Sequence, residues 1–295
     1  EEIFKQLSQN YLKFRNTARY CLGNLADFDA DRLVAPEEMP ELDRWAITRL
    51  NRLTAVCIRA YEDYEFHAVS HAINDFCVTD LSAFYLDIIK DRLYCDGRDS
   101  LSRRSAQTAL FLILDTMTKL FAPILAFTCD EIWLQMPHRS SDDARNVLFN
   151  EMNPVFADYA LSEAEMARFD VLVKVRDDVN SVLERARADK RIGKSLEAEL
   201  RLFALDAEAA EALKAIDGME LADLLIVSDC VLAEGKPDMD KVVGAGEALK
   251  GLTIEVSEAA GTKCPRCWKH STAAQAETGL CPRCAAVISE LDLEI

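Results

Sequence analysis

Near its end the chain reads KCPRCWKHSTAAQAETGLCPRC, from Lys263 to Cys284, with two Cys-x-x-Cys pairs separated by thirteen residues. No other stretch restricts the fold so tightly. A tight turn between Cys264 and Cys267 aims two sulfurs at one point, and Cys281 with Cys284 repeats the arrangement. Four soft ligands converging in this way are the set that a tetrahedral zinc ion takes. Pro265 and Pro282 each follow the first cysteine of a pair and prebend its turn. Segment 261–295 is too short for a core of its own, and pieces below about 40 residues usually need a metal or disulfides. Zinc would supply the missing folding energy. With every position filled by protein, the site is expected to be structural, since a catalytic zinc keeps one position open.

Three other uses of these residues are weaker. Two thioredoxin-like pairs would each need a redox fold around them. An iron–sulfur cluster suits paired proline turns less well than zinc does. His270 completes a Cys-x-x-His spacing with Cys267 and is an alternative fourth ligand. Trp268 lies beside Arg266 and Lys269, so its ring either stacks on an unpaired base while the cations meet phosphate, or simply anchors packing.

The remaining six cysteines, Cys21, Cys57, Cys77, Cys95, Cys129 and Cys230, stand singly among apolar residues and read as buried free thiols. That usage fits a reducing, cytoplasmic setting. The sequence carries no signal peptide, twin-arginine segment or lipidation motif. Its longest apolar stretch, ALFLILDTMTKLFAPILAF, is interrupted by Asp115 and Lys119 and reads as a buried helix, not a membrane span. The opening residues look helical and lack an initiator Met, as in a piece of a longer chain. A net charge of −17 argues against a sequence-blind nucleic-acid binder. Yet Lys263, Arg266, Lys269 and Arg283 make the cysteine segment a positive island, and distant charges are screened beyond about 10 Å.

The first half has helical periodicity. Leu7, Tyr11, Phe14, Ala18, Leu22 and Leu25 mark one face of a first helix. Leu42, Trp45, Leu50, Leu53 and Val56 mark a second, and Val69, Ile73, Phe76, Leu81, Phe84, Ile88 and Leu93 a third, from His67 to Tyr94. A fourth runs from Ser102 to Trp133, with Pro123 kinking or splitting it. Short joints between such helices give an antiparallel bundle. Residues 162–191 form one further, charged helix. Strand-like AELRLFAL, LLIVSDCVLA and LTIEVSEA follow, with helical AEAAEALKAI between the first two. The expected organisation is a mainly α chain: a helical bundle over 1–158, a small α+β junction domain over 159–260 and a four-cysteine zinc knuckle over 261–295.

Several stretches together resemble a known family. YLKFRNTARYCLGNL, DLSAFYLDIIKDRLYC, SLSRRSAQTAL and FAPILAFTCDEIW resemble the helical anticodon-binding domain of class I aminoacyl-tRNA synthetases for branched aliphatic amino acids. ARADKRIGKSLEAEL followed by KCPRCW and LCPRC narrows the resemblance to the bacterial isoleucyl-tRNA synthetases. The resemblance covers the whole chain. It implies the tRNA-recognition part of a monomeric, cytoplasmic ligase that activates isoleucine with ATP. The His-x-Gly-His and Lys-Met-Ser-Lys-Ser type signatures of the catalytic domain are missing here, as is any editing domain, so ATP is expected to bind only outside these residues.

On that footing the bundle would hold the anticodon stem and loop of isoleucine tRNA, and the knuckle would close over the anticodon. The resemblance favours base stacking for Trp268, with Arg266 and Lys263 next for phosphate or base-edge contacts. Arg187, Lys190, Arg191 and Lys194 crowd the RADKRIGKS turn, where they either touch the tRNA backbone or form a solvated helix end. Arg15 and Arg19, one turn apart on the first helix, are further candidates to grip phosphate. The alternative from another class is a zinc-stapled protein-interaction module without RNA selectivity. No nucleophile–base pair, phosphate-cradling loop or open metal site suggests catalysis.

Overall fold

The structure is a computed structural model that describes residues 2–291. The chain divides into two compact units, Glu1–Leu161 and Ser162–Ile295. The knuckle falls within the second of these.

Among its described residues the first unit contains helices and connecting turns but no strand. It contains α1 (Glu2–Asn24), α2 (Glu41–Glu62) and α3 (Phe66–Asp75). The chain continues from α3 through π-helical turns over Phe76–Tyr85 into α4 (Leu86–Ile88) and α5 (Lys90–Cys95). Then come α6 (Leu101–Phe121) and α7 (Ala126–Trp133). The Ser100 hydroxyl caps α6 by accepting from the Arg103 amide. Pro123 lies in the break between α6 and α7, where its missing N–H cannot serve a continuing helix.

Helix α6 is the axis of this unit: every residue from Ser105 to Phe121 is buried. Two of them are charged. Asp115 forms an ion pair with Lys119 Nζ at 2.9 Å through Oδ1, while its Oδ2 accepts Arg139 Nη1 and Asn153 Nδ2, each at 2.8 Å. A second buried carboxylate, Asp43 on α2, accepts the Tyr85 hydroxyl at 2.7 Å and Arg92 Nη2 at 2.6 Å. Buried charge is tolerated when paired in this way.

Two sequence expectations change here. The third helix is not uniform: the Ser82 hydroxyl donates to the Cys77 carbonyl five residues back, inside the π-helical stretch. On α2, Val56 is 51% exposed, and its neighbour Cys57 takes the inward position with Leu50, Leu53 and Thr54. The side chain of Leu7 lies outside those described.

The second unit opens with α8 (Glu163–Ala188), started by a capping box between Ser162 and Glu165. Next come β1 (Ala198–Ala204), α9 (Ala207–Ala215), α10 (Leu221–Leu224), β2 (Asp229–Leu232), β3 (Val242–Ala245) and β4 (Leu252–Glu258). The last elements are β5 (Thr262–Lys263), β6 (His270–Ser271) and α11 (Pro282–Glu290). Sheet order is β2-β1-β4-β3. Strands β1 and β2 are parallel, joined over α9 and α10 as a parallel pair requires; β4 is antiparallel to both β1 and β3.

Helix α8 covers the β3–β4 side. A Cβ on Gly244 would meet Val182 Cγ2 at 2.3 Å, so the helix approaches as closely as it does only over glycine. The buried Asp178 carboxylate accepts from the Glu247, Ala248 and Leu249 amides at 2.8, 2.9 and 2.8 Å, tying down the turn before β4. Strand β3 escapes sequence reading because four residues containing a glycine give no pattern. The expected strand over 224–233 shrinks to Asp229–Leu232, since Ile226 at φ 57° breaks the chain before it.

Candidate metal centre and nucleic-acid interface

The first cysteine pair sits at the tip of a hairpin. Strands β5 and β6 pair Thr262 with Ser271 and Lys263 with His270. The Cys264 amide then donates to the Lys269 carbonyl at 2.9 Å, and the Trp268 amide to the Cys264 carbonyl at 2.9 Å. At the base of the hairpin, Gly261 has φ 91°, and a Cβ there would meet the Ser271 carbonyl carbon at 2.3 Å. The second pair uses a helix start instead. Cys281 is the N-cap of α11, Pro282 occupies its first turn, and Cys284 follows one turn on.

All four thiols are buried, and their sulfurs lie within 4.8 Å of one another. Cys267 Sγ and Cys281 Sγ are 3.7 Å apart. Zinc–sulfur bonds of about 2.3 Å directed tetrahedrally separate the sulfurs by about 3.8 Å. A disulfide would need about 2 Å, and all four cysteines are free. Burial alone would raise the Cys264 thiol, but backbone N–H groups of Cys267, Cys281 and Arg266 outweigh it and bring the group down to about 6. Burial pushes Cys267 and Cys284 up. Arg266 Nη1 also points at Cys284 Sγ, 3.5 Å away. Convergent sulfurs with N–H donors aimed at them fit one thiolate-bound zinc ion.

His270 is not part of this group. Its Nδ1 lies 3.0 Å from the Ala259 carbonyl, an acceptor, so that nitrogen carries the proton. Its amide donates to Ser228 Oγ at 2.7 Å. Both bonds fasten the hairpin to the mixed sheet, which is the use this histidine has.

The expected RNA-contacting residues fall into three sets. Trp268 is 52% exposed and holds φ 67°, a left-handed backbone that costs an L-residue about 1–2 kcal/mol. Lys194 Nζ lies 4.7 Å from the centre of its ring. Arg191 is exposed on the same turn as Lys194. Lys263 and Lys269, by contrast, are held by carboxylates: Lys263 Nζ is 2.7 Å from Glu197 Oε1, and Lys269 pairs with Asp223. Arg187 donates to Ser195 Oγ at 2.7 Å and pairs with Glu184. Arg15 and Arg19 are exposed on α1, in the other unit, with no ion-pair partner among the described residues.

Sequence reading passed over Glu197. Its side chain accepts from the Gly193 and Lys194 amides at 2.9 and 3.1 Å as well as from Lys263. The Lys263 bond first, then the two amides, draw its carboxyl down to about 2. The visible signal was its place three residues after Lys194, the spacing of a capping box.

Among the other cysteines, Cys57, Cys77 and Cys129 are pushed up to about 12 by burial, as inert core thiols are. Cys230 is only half-buried, on edge strand β2. No helix of the described residues is long and apolar enough to cross a membrane.

Residues 43–202 match the family described as "Anticodon-binding domain of tRNA ligase". Residues 261–287 match the "Zinc finger found in FPG and IleRS". An isoleucine–tRNA ligase of Syntrophotalea carbinolica is 44% identical over 293 residues, which are 98% of this chain and 31% of the relative. One from Desulfotalea psychrophila is 42% identical over 301 residues, 100% of this chain and 32% of the relative. One from Geobacter sulfurreducens is 42% identical over 293 residues, again 98% and 31%. The chain thus spans about a third of the length of the curated relatives it matches.

Proposed function

Because the chain belongs to the family of anticodon-binding domains of tRNA ligases, we propose that it is the tRNA-recognition part of an isoleucine–tRNA ligase. Its substrate partner is isoleucine tRNA. Holding the anticodon stem and loop here places the distant acceptor end at catalytic residues elsewhere in the longer protein, where ATP and isoleucine are used. Cys264, Cys267, Cys281 and Cys284 hold one structural zinc, which fixes the turn that presents Trp268.

The observation that supports this best is the conformation of Trp268. A bulky ring in a left-handed backbone, half in solvent, is a poor packing anchor. Strain of this kind is found at ligand contacts as well as at structural turns such as that of Ile226, and at Trp268 it falls on a half-exposed aromatic ring. Anticodon bases are unstacked and available to an aromatic platform. Arg266, Arg191 and Lys194 supply positive charge beside the ring, and Arg15 and Arg19 supply it on the bundle. Lys263 serves the same surface while bound to Glu197.

The test is binding of the zinc-loaded chain to isoleucine tRNA and to an anticodon-swapped version at fixed salt, with Trp268→Ala alongside. Loss of one base–aromatic stack, about 1–3 kcal/mol, lowers affinity about 5- to 150-fold and narrows the preference for the correct anticodon. Unchanged affinity with zinc still bound would overturn the reading and return the knuckle to a protein-interaction or purely structural role.

A further inference from the structure

A carboxylate stands among the cations around Trp268, where a surface meant for phosphate would ordinarily exclude one. Glu197 Oε1 accepts Lys263 Nζ at 2.7 Å, and Oε2 accepts the Gly193 and Lys194 amides at 2.9 and 3.1 Å. The Glu197 carbonyl accepts the Ala259 amide at 2.8 Å. One residue therefore joins three pieces of chain: the turn after α8, the end of β4 and the strand that leads directly into Cys264. A Cβ at Gly193 would lie 2.9 Å from Glu197 Oε2, so a larger residue there would push the carboxylate aside.

The turn so fastened carries Lys194, whose ammonium lies 4.7 Å from the centre of the Trp268 ring. A lysine on a free turn would spend little time there, because an exposed cation–π contact is weak and ordering a long side chain offsets it. Fixing the backbone at Lys194 removes part of that entropy cost. Lys263 neutralises the clamp, so the anion does not repel a phosphate.

We propose that Glu197 is a positioning residue that holds Lys194 against one face of Trp268, leaving the other face for an unpaired nucleobase. This rests on the reading of the chain as a tRNA binder. A cation behind the indole offsets the negative face of its quadrupole, so the open face meets the π-cloud of a base with less repulsion. Lys194 thus acts through the ring.

The experiment uses the zinc-loaded chain as wild type, Glu197→Gln, Lys194→Met, the double variant and Trp268→Ala. Two quantities are measured: acrylamide quenching of tryptophan fluorescence, and affinity for an RNA stem-loop bearing the isoleucine anticodon, at fixed salt. Of the three tryptophans, Trp45 is 5% and Trp133 0% exposed, so quenching reports Trp268. Glu197→Gln and Lys194→Met should each increase quenching and weaken RNA binding about two- to fivefold, the loss of an exposed cation–π contact. The double variant should bind no worse than Lys194→Met alone, since both changes remove one device. Unchanged quenching in Glu197→Gln, additive losses in the double variant, or zinc loss on Glu197→Gln would each overturn the assignment. If Trp268→Ala leaves RNA binding intact, the tRNA reading itself fails, while the quenching still decides whether Glu197 holds Lys194.

Discussion

Asp115 and Lys119 are buried on α6 and answer each other one helical turn apart, whereas in the knuckle four buried thiols face one another and need a cation between them. The helical unit contains both halves of its buried ion pairs and surrounds them with a helix buried from Ser105 to Phe121. The knuckle carries one sign of ligand only, on a segment too short to bury much apolar surface. Its folding energy is therefore imported with the metal, and its geometry is set by the ion's preference for a tetrahedron. That division suits the proposed task. A bundle can hold a stem-loop with broad tolerance, while a reader of single bases needs an aromatic ring fixed in place.

The largest effect that would break this contrast is metal removal. Structural zinc contributes about 10–16 kcal/mol of apparent binding energy in small zinc-binding peptides. A chelator should open residues 261–291 to protease, with cleavage at Lys263, Arg266 and Lys269, while the helical circular dichroism of the bundle persists. Loss of most helical signal together with the zinc would show that the bundle, too, depends on the ion.

Second in size is Asp115→Ala. Lys119, 6% exposed in the intact protein, would then keep the Asn153 side-chain oxygen at 3.1 Å as its polar contact among the described residues. Breaking a buried pair from one side costs about 3–5 kcal/mol. Chemical denaturation of the bundle should lose that much while zinc content stays the same. A cost below about 1 kcal/mol, the range of exposed pairs, would mean that this pair is hydrated in solution.

The two regions also differed in how far they could be read in advance. Cys-x-x-Cys spacing is a local signal, so the four cysteines stand out in the sequence as candidate ligands, and the fold brings their sulfurs together while leaving His270 outside the group. Helical periodicity placed the bundle's helices, because an inward stripe repeats along each one. Single faces were less secure: Val56 and Cys57 are both acceptable inward residues, and tertiary packing chose the thiol. The π-helical turns from Phe76 leave no mark in the sequence, as the apolar residues there satisfy an α-helical stripe equally well. Glu197 was passed over for a different reason. Its partners are two amides four and three residues before it and one lysine 66 positions away, and the long pairing is fixed only once the chain leaving β4 runs past Glu197 at Ala259. Contacts of that kind depend on topology, which residue types alone do not encode.

The finest comparison sets the backbone of the knuckle against the ring it presents. Trp268→Ala and Trp268→Gly remove the same indole, so both should weaken RNA binding alike. They differ in the backbone they leave. At φ 67° alanine retains the clash between Cβ and the carbonyl that disfavours left-handed residues, and glycine does not. Glycine should therefore give the more stable knuckle by about 1 kcal/mol, read as about fivefold tighter zinc binding in competition with a chromogenic chelator. In an ordinary strand or helix the order is reversed, because glycine there loses more chain entropy. Tighter zinc binding by the alanine variant would place residue 268 outside the left-handed region in solution and remove the strain argument for Trp268. The predicted order would mean that the turn favours glycine for its own stability. Tryptophan would then be present at a cost, which contact with a base explains and packing does not.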